Sequence, residues 1–320
     1  MNYVIRRLLL VLPMLLGITI ITYTLVNFAP GDPITAMIDP EEMNVRSADE
    51  IEALREKMGL NDPLPVRYAL WLREAVQGNL GYSYHDEKPV LGMILDKLPA
   101  SLMLTATSML LASLIGCALG VFSALRQYSI FDHLLTVLAF FGVSVPGFFF
   151  ALIGMYIFSV RLGWLPVFGM WTPGEPTGFN LDLLRHAILP VLTLTLPQIA
   201  GYMRYARAAT LEALGADHVT TARAKGLREQ VVLRRHVLRN ALLPLVTIFG
   251  LSLPAIIGGS FIIETIFSWP GIGLLGYTAI MQRDYPLQLG IALIAATAVL
   301  LANLGTDIAY GLVDPRIRYE

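Results

Sequence analysis

Six stretches free of Asp, Glu, Lys and Arg run through this sequence, at residues 8–29, 98–125, 134–160, 187–203, 240–263 and 285–306. A hydrocarbon core of roughly 30 Å takes about 20 apolar residues in helical form, so each stretch is long enough to cross it or nearly so. The fourth is the shortest; Arg204 at its end can snorkel to the interface, and Pro190 and Pro197 are tolerated where neighbouring helices satisfy the carbonyls they free. The expectation is an all-α polytopic membrane protein with about six transmembrane helices. Composition agrees, since 55% of the 320 residues are hydrophobic and only 15% charged, which makes a water-soluble core a poor reading. The single cysteine, Cys117, lies in an apolar run and offers neither a disulfide framework nor a metal cluster.

Arg6 and Arg7 precede the first stretch as the basic end of a signal peptide would. That stretch is longer than an h-region and is followed by Ala-Pro-Gly-Asp-Pro with no small-residue cleavage site, so it reads as a retained first span. An even number of spans puts both termini on one side. That side holds residues 1–7, 126–133, 204–239 and 307–320 with thirteen Lys and Arg; the other holds ten, seven of them in its one long loop. The basic excess in short loops assigns the termini to the cytoplasm. The organisation is then an N-terminal transmembrane helix over 1–29, an extracytoplasmic helical loop over 30–97, a core of five helices over 98–312 containing a cytoplasmic loop at 204–239, and a cytoplasmic tail over 313–320.

The long loop has helix signals of its own. Ser47 and Glu50 form a capping box, Ile51, Leu54 and Met58 make one helical stripe, and Gly59 stands where a C-terminal cap belongs. A second amphipathic stretch after Pro63 carries Val66, Leu70, Trp71 and Ala75. A small helical cap follows, either packing between spans or serving as part of a docking surface for an external partner.

Residues 220–240, TTARAKGLREQVVLRRHVLRN, hold six of the 23 Lys and Arg and one acid. Before Gly226, Leu211, Leu214, Val219 and Ala222 recur at helical spacing, with Arg223 and Lys225 where a helix C-terminus favours cations. Gly226 fits a C′ residue of positive φ. After it, Val231, Leu238 and Leu242 fall on one face, with Arg234, Arg235 and Arg239 free for headgroups or an acidic partner. The prediction is a helix–turn–helix elbow at the membrane surface. A topology signal accounts for its charge but not for its length or glycine, and nucleic-acid binding is opposed by the absence of interleaved aromatics. A docking lever for a cytoplasmic protein accounts for all three.

The segments TARAKGL and RHVLRNALLP resemble the coupling motif in permease subunits of ATP-binding-cassette importers, in the branch that takes up dipeptides, oligopeptides and nickel. The general pattern of Glu-Ala-Ala, three residues, Gly, nine residues and Ile-x-Leu-Pro is met strictly only at Ala222, Gly226 and Leu238; the Ala-Arg-Ala-Lys-Gly-Leu version of this branch fits better. The resemblance extends along the chain through PGDP, GLNDPLPVRY, GNLGYS, KLPASLMLT, GWLP, GGSFIIETIFSWPGIG, RDYP and DPRIRY, and the long loop after the first span resembles the dipeptide B-type subunit in particular. It implies a MetI-like type I importer fold in a bacterial or archaeal inner membrane. The implied partners are a second homologous permease subunit, two ATPase subunits, an extracytoplasmic substrate-binding protein and membrane lipid, with no nucleic acid. ATPase coupling is carried onto Thr220, Thr221, Ala222, Arg223, Ala224, Lys225, Gly226 and Leu227. Arg223 and Lys225 would meet acidic groups on the ATPase cleft, and Ala222 and Ala224 would allow close approach.

No G-x-x-x-x-G-K-[ST] occurs, and Lys57, Lys88, Lys97 and Lys225 are the only lysines. Hydrolysis therefore belongs to other chains: this one takes no cofactor, Mg-ATP being bound by the partner ATPases. The five histidines are dispersed, and no H-E-x-x-H or G-x-S-x-G is present, so the chain is expected to be a transporter subunit and not an enzyme. An ion-coupled secondary transporter would need ionisable residues within spans and internal repeats; Glu264 and Asp307 fall at span ends, where a solvated or interfacial role is expected in preference to a proton relay. Pro146 and Gly147 suggest a kink in the third span beside the pathway, or aromatic packing. Phe267 and Trp269 suggest an external gate or contact with the binding protein, with Trp269 equally an interfacial anchor. Dipeptide is the substrate implied by resemblance; longer peptide, glutathione and nickel chelate stay open.

Overall fold

The computed structural model describes residues 2–28, 34, 48–57, 59–257 and 260–313. Every regular element among them is helical, beside one isolated antiparallel bridge between Tyr82 and Pro89. In chain order the helices are α1 (Asn2–Phe28), α2 (Ala48–Lys57), α3 (Leu64–Val76), α4 (Val90–Leu125), α5 (Ile130–Ser144), α6 (Gly147–Gly154), α7 (Leu181–Leu214), α8 (Asp217–Ala224), α9 (Glu229–Val231), α10 (Arg239–Ile257), α11 (Phe261–Ile266), α12 (Ile272–Met281) and α13 (Tyr285–Val313). Two π-helical segments, Met155–Arg161 and Val232–Leu238, continue α6 and join α9 to α10.

Four of these helices are long and apolar enough to cross a membrane, within α1, α4, α7 and α13, and α5 with α6 makes a fifth if the pair is one span. The pair is bent by 96°. Val145 is extended and Pro146 stands at the start of α6, as expected where the ring of a proline excludes helical backbone from the residue before it. The expected kink at Pro146 and Gly147 is thus a complete break. The fifth expected stretch, 240–263, divides into α10, of 19 residues, and the short α11; Gly258 and Gly259 between them lie outside the described residues.

Helices extend beyond the charge-free stretches, α4 and α7 most of all. Helix α4 begins at Val90, eight residues before the expected start, because Val90 and Ile94 are fully buried against Leu80, Ile272 and Leu287, whereas Asp96 points outward. Helix α7 starts at an Asn180 cap whose side chain accepts from Leu183 N (2.8 Å) and runs on to Leu214, far past Arg204. Charged residues on one face of a helix do not end it.

Helices α4 and α7 form the spine. Gly116 and Gly120, one turn apart on α4, face α7 so closely that a Cβ on Gly120 would lie 2.6 Å from Ala206 Cβ and one on Gly116 2.7 Å from Tyr202 Cβ. Small residues four apart let membrane helices approach to backbone contact. Polar side chains add to the seam: Ser108 Oγ donates to Val191 O (3.3 Å) and Thr195 Oγ1 to Ser108 O (3.4 Å). At one end of α5, Asp132 is buried and receives both Arg207 Nε and Nη2 at 2.8 Å, with Ser123 Oγ at 2.5 Å.

Helix α1 lies on α13, where Tyr23 and Val26 meet Tyr285 and Leu289, and α3 closes this contact with Tyr68 and Trp71. The inward face of α3 is Leu64, Tyr68, Trp71 and Ala75; the expected Val66 and Leu70 are exposed. Gly59 ends α2 at φ +64°, with Gly59 N donating to Glu56 O and Leu60 N to Arg55 O, the paired C-terminal bonds of a Schellman cap. Ser47, Met58 and Asp307 fall where the main chain or side chain lies outside the described residues.

Candidate functional site

The predicted elbow is present, built from more pieces than expected. Helix α7 ends at Leu214, Gly215 N returns to Leu211 O (3.2 Å), Ala216 is extended, and α8 restarts at Asp217. Leu211 and Leu214 therefore belong to α7 and only Val219 and Ala222 to α8. Gly226 takes φ +75°, as predicted, with Gly226 N donating to Arg223 O (2.9 Å) and Leu227 N to Ala222 O (3.4 Å). A side chain in that backbone region is costly, which is the physical need for glycine here.

One face of α8 is fixed inward. Val219 and Ala222 pack with Ala213 of α7, with Val232 and Val237 of the π-helical segment, and with Ala241 of α10. Ala222 is 4% exposed, so the expected close approach of a partner at Ala222 is replaced by internal packing. The expected downstream face of Val231, Leu238 and Leu242 is also displaced: Val231 and Leu242 are exposed, and the buried set is Val232, Val237 and Ala241. Five-residue spacing between Val232 and Val237 is that of a π-turn, which shifts the apolar face by one position.

The outward face presents Thr220, Thr221, Arg223, Ala224, Lys225, Gly226 and Leu227. Arg223 reaches across the glycine turn to Glu229, Nη2 to Oε1 at 2.7 Å and Nε to Oε2 at 3.2 Å. That hydrogen-bonded pair holds the Glu229 carboxyl below its ordinary value and raises the Arg223 guanidinium. Lys225 forms no ion pair among the described residues and, with the exposed Arg228, Arg234, Arg235 and Arg239, is left for another molecule. Behind α8, Asn240 Nδ2 lies 2.8 Å from His218 Nε2 and donates to His236 O (2.7 Å), tying the elbow to the start of α10.

Phe267 and Trp269 are inside the protein. Trp269 is fully buried among Ala100, Leu104, Leu183 and Val191, and its indole Nε1 donates to Ala100 O (3.0 Å). Phe267 is 2% exposed and packs on Ala151 of α6 and Leu189 of α7. An interfacial anchor at Trp269 is excluded by this burial. Pro146 and Gly147 do not join this cluster; they start the helix that reaches it four residues later, at Ala151. Leu183 beside Trp269 and Ala213 beside α8 are thirty residues apart on α7, so about 45 Å separates the two regions at 1.5 Å per residue.

Besides Asp132, two further buried acids were not foreseen from the sequence. Glu264 is fully buried, not solvated: Oε1 accepts from Ser101 Oγ (2.9 Å) and Ser260 N (3.1 Å), and Oε2 from Gly273 N (2.7 Å). Asp284 is likewise buried and accepts from Ser83 Oγ (2.5 Å), Tyr84 N (3.1 Å) and Leu287 N (3.2 Å). Burial, with the Asp284 charge nearby, pushes the Tyr84 phenol up to about 12. The available signal for Glu264 was an acid inside the apolar run Phe-Ile-Ile-Glu-Thr-Ile-Phe, an expensive placement that has to be satisfied by partners.

Residues 116–319 match the family described as binding-protein-dependent transport system inner membrane component, and residues 1–105 match its N-terminal family. The chain is 46% identical over 319 residues to the oligopeptide transport system permease protein AppB of Bacillus subtilis, covering 99% of each. It is 39% identical over 335 residues to the dipeptide transport system permease protein DppB of Alkalihalophilus pseudofirmus, again covering 99% of each. In three dimensions it resembles a chain of the inward-facing MetNI methionine ABC transporter, with TM-score 0.52, 18% identity, and coverage of 70% of this chain and 97% of that one, which establishes a shared fold. With both parts of the chain matched and these relatives spanning it nearly end to end, the protein belongs to the family of binding-protein-dependent transport system inner membrane components.

Proposed function

We propose that this chain is a permease subunit of an ATP-binding-cassette importer for short peptides, forming the pathway with a second, homologous permease. As a permease subunit it is not itself an enzyme: separate ATPase subunits bind Mg-ATP and hydrolyse it, and an extracytoplasmic binding protein delivers the peptide. Dipeptide or oligopeptide uptake is supported by the names of the relatives, all of them aligned over nearly the full length. The elbow and both termini face the cytoplasm in a multi-pass arrangement, in line with the basic excess of the short loops on that side.

The observation that carries the mechanism is that α8 is gripped on one face and free on the other. Val219 and Ala222 bind it to α7 and α10, while Thr220, Thr221, Ala224, Lys225 and Leu227 face outward. A load applied to the outward face by a closing ATPase passes through that packed cluster into α7, which carries it about 45 Å to the Trp269 region. Two arrangements of the spans, inward-open and outward-open, are then biased by ATP binding and by the delivered peptide.

Purification of the chain from its native membrane in mild detergent tests this. A second permease and ATPase subunits should co-purify, and hydrolysis should rise on adding binding protein and peptide. Recovery of the chain alone, with uptake that follows an ion gradient and ignores ATP depletion, would replace this reading with a secondary transporter.

A further inference from the structure

The segment between α11 and α12 is held by one side chain. Glu264 offers only oxygens to its neighbours, and each is met by a donor: the Ser101 hydroxyl on α4, the Ser260 amide before α11 and the Gly273 amide in the first turn of α12. Ser101 Oγ in turn accepts from Ile272 N (2.8 Å), so hydroxyl and carboxylate together take both amides that open α12. The local sequence is built around this carboxylate. A Cβ on Gly271 would collide with Glu264 Oε2 and Ser101 Oγ, and one on Gly273 would lie 2.7 Å from Phe261 Cα and 2.9 Å from Glu264 Oε2. Ser268, in between, adopts φ +48°, a backbone region unfavourable for a residue with a side chain, and its turn is closed by Trp269 N donating to Glu264 O (2.8 Å).

That same segment touches three spanning elements at once. Trp269 reaches α4 through Ala100 O, while Phe267 packs on Ala151 of α6 and Leu189 of α7. We infer that Glu264 is the positioning residue of this segment: it pins α11, the Phe267–Trp269 turn and the start of α12 to Ser101, so that they move with α4 as one body, and hydrolysis is coupled to uptake through that pin. This inference rests on the importer reading above for its functional half and on geometry alone for its structural half.

Glu264→Gln separates these contributions because it conserves volume. An amide has one acceptor oxygen, so in either orientation its NH2 faces a backbone N–H, of Gly273 or of Ser260, that is left buried without a partner. The measurement is made on the whole complex in lipid vesicles, reading basal hydrolysis, hydrolysis stimulated by binding protein and peptide, and peptide taken up per ATP, with amide exchange of residues 260–276 followed in parallel. Glu264→Gln should exchange these amides about tenfold faster, the usual effect of one unsatisfied buried donor, and should lower uptake per ATP about tenfold while raising basal hydrolysis. Ser101→Ala takes one donor from the carboxylate and leaves Ile272 N buried without its acceptor, so it should show the same pattern at a similar size.

Unchanged exchange and unchanged coupling in Glu264→Gln would overturn the inference. So would failure of both variants to assemble with their partners, which would make Glu264 a residue of folding only. Faster exchange with hydrolysis and uptake reduced in equal proportion would overturn it too, since a merely loosened protein loses activity without losing coupling. If the unaltered complex shows no peptide-stimulated hydrolysis, the importer reading fails, and the exchange result still decides whether Glu264 pins the segment.

Discussion

Gly226 shows how a single backbone angle enters function. Its φ of +75° closes α8 and turns the chain so that Arg223 meets Glu229. Gly226→Val should introduce strain of about 1–2 kcal/mol and reduce ATPase retention on the purified chain about tenfold, measured by co-purification; unaltered retention would count against that geometry. Reversal of charge at Arg223 together with Lys225 should weaken attachment without preventing insertion, and Lys225→Glu alone should do most of this because Arg223 is already engaged by Glu229. The pair also has a pH signature. The Glu229 carboxyl is held below its ordinary value, so its contribution is complete above an unfolded glutamate value of about 4.3 and is lost as pH falls through the lowered folded value. Amide exchange of residues 224–229 should therefore be flat from neutral pH down to about 5 and accelerate, after correction for intrinsic rates, only below about 4.

At the scale of elements, the α4–α7 seam and the pair at Asp132 make separate demands. Gly120→Leu pushes a branched side chain into Ala206 and the α7 backbone and should cost about 1–3 kcal/mol, read as a lowered denaturation temperature in detergent. Asp132→Ala strands Arg207; removing one partner of a buried pair costs about 3–5 kcal/mol, and less here because the Arg207 side chain keeps 28% of its surface exposed. The elements were legible in sequence to different depths. Charge-free runs located four spans and, with α5 and α6 taken as one, a fifth, since lipid tolerates little else; the run at 240–263 divides into α10 and the short α11, and the runs misjudged α4 and α7, whose charged residues lie on an outward face or are neutralised by a distant partner. At Pro146 proline sterics indicated a kink, with aromatic packing as the alternative, and the structure carries it further to a complete break. The π-turn between α9 and α10 had no such signal: an extra residue in one turn leaves composition unchanged, and it moved the buried face from Val231 to Val232.

For the whole molecule, the outline of the candidate site was readable and its interior was not. Gly226 and the basic residues around it are local signals, so the elbow was visible. The side-chain partner of Glu264 is 163 residues away at Ser101 and that of Asp284 is 201 residues away at Ser83, and no periodicity in one chain reveals which serine meets which acid. Phe267 and Trp269 looked like surface residues because they fall between spans, whereas the chain folds back there and buries them. At this scale the expected behaviour is energetic dependence on ATP: peptide uptake by vesicles of the complete complex should stop on ATP depletion and persist when ion gradients are collapsed by ionophores.

The distance in sequence between Ser83 and Asp284 also sets a timetable for synthesis. A chain made at about 5–20 residues per second extends for about 10–40 s after Ser83 emerges before Asp284 exists to receive it. Through that interval the loop from Leu80 to Pro89 and the first turn of α4 have no α13 to fold against, and Val90 lacks its neighbours on Ile272 and Leu287. Completion of the last helix is thus the event that locks the first third of the chain. A ribosome stalled before residue 284 should leave the segment around Ser83 open to protease, long after the helices that follow it have been inserted.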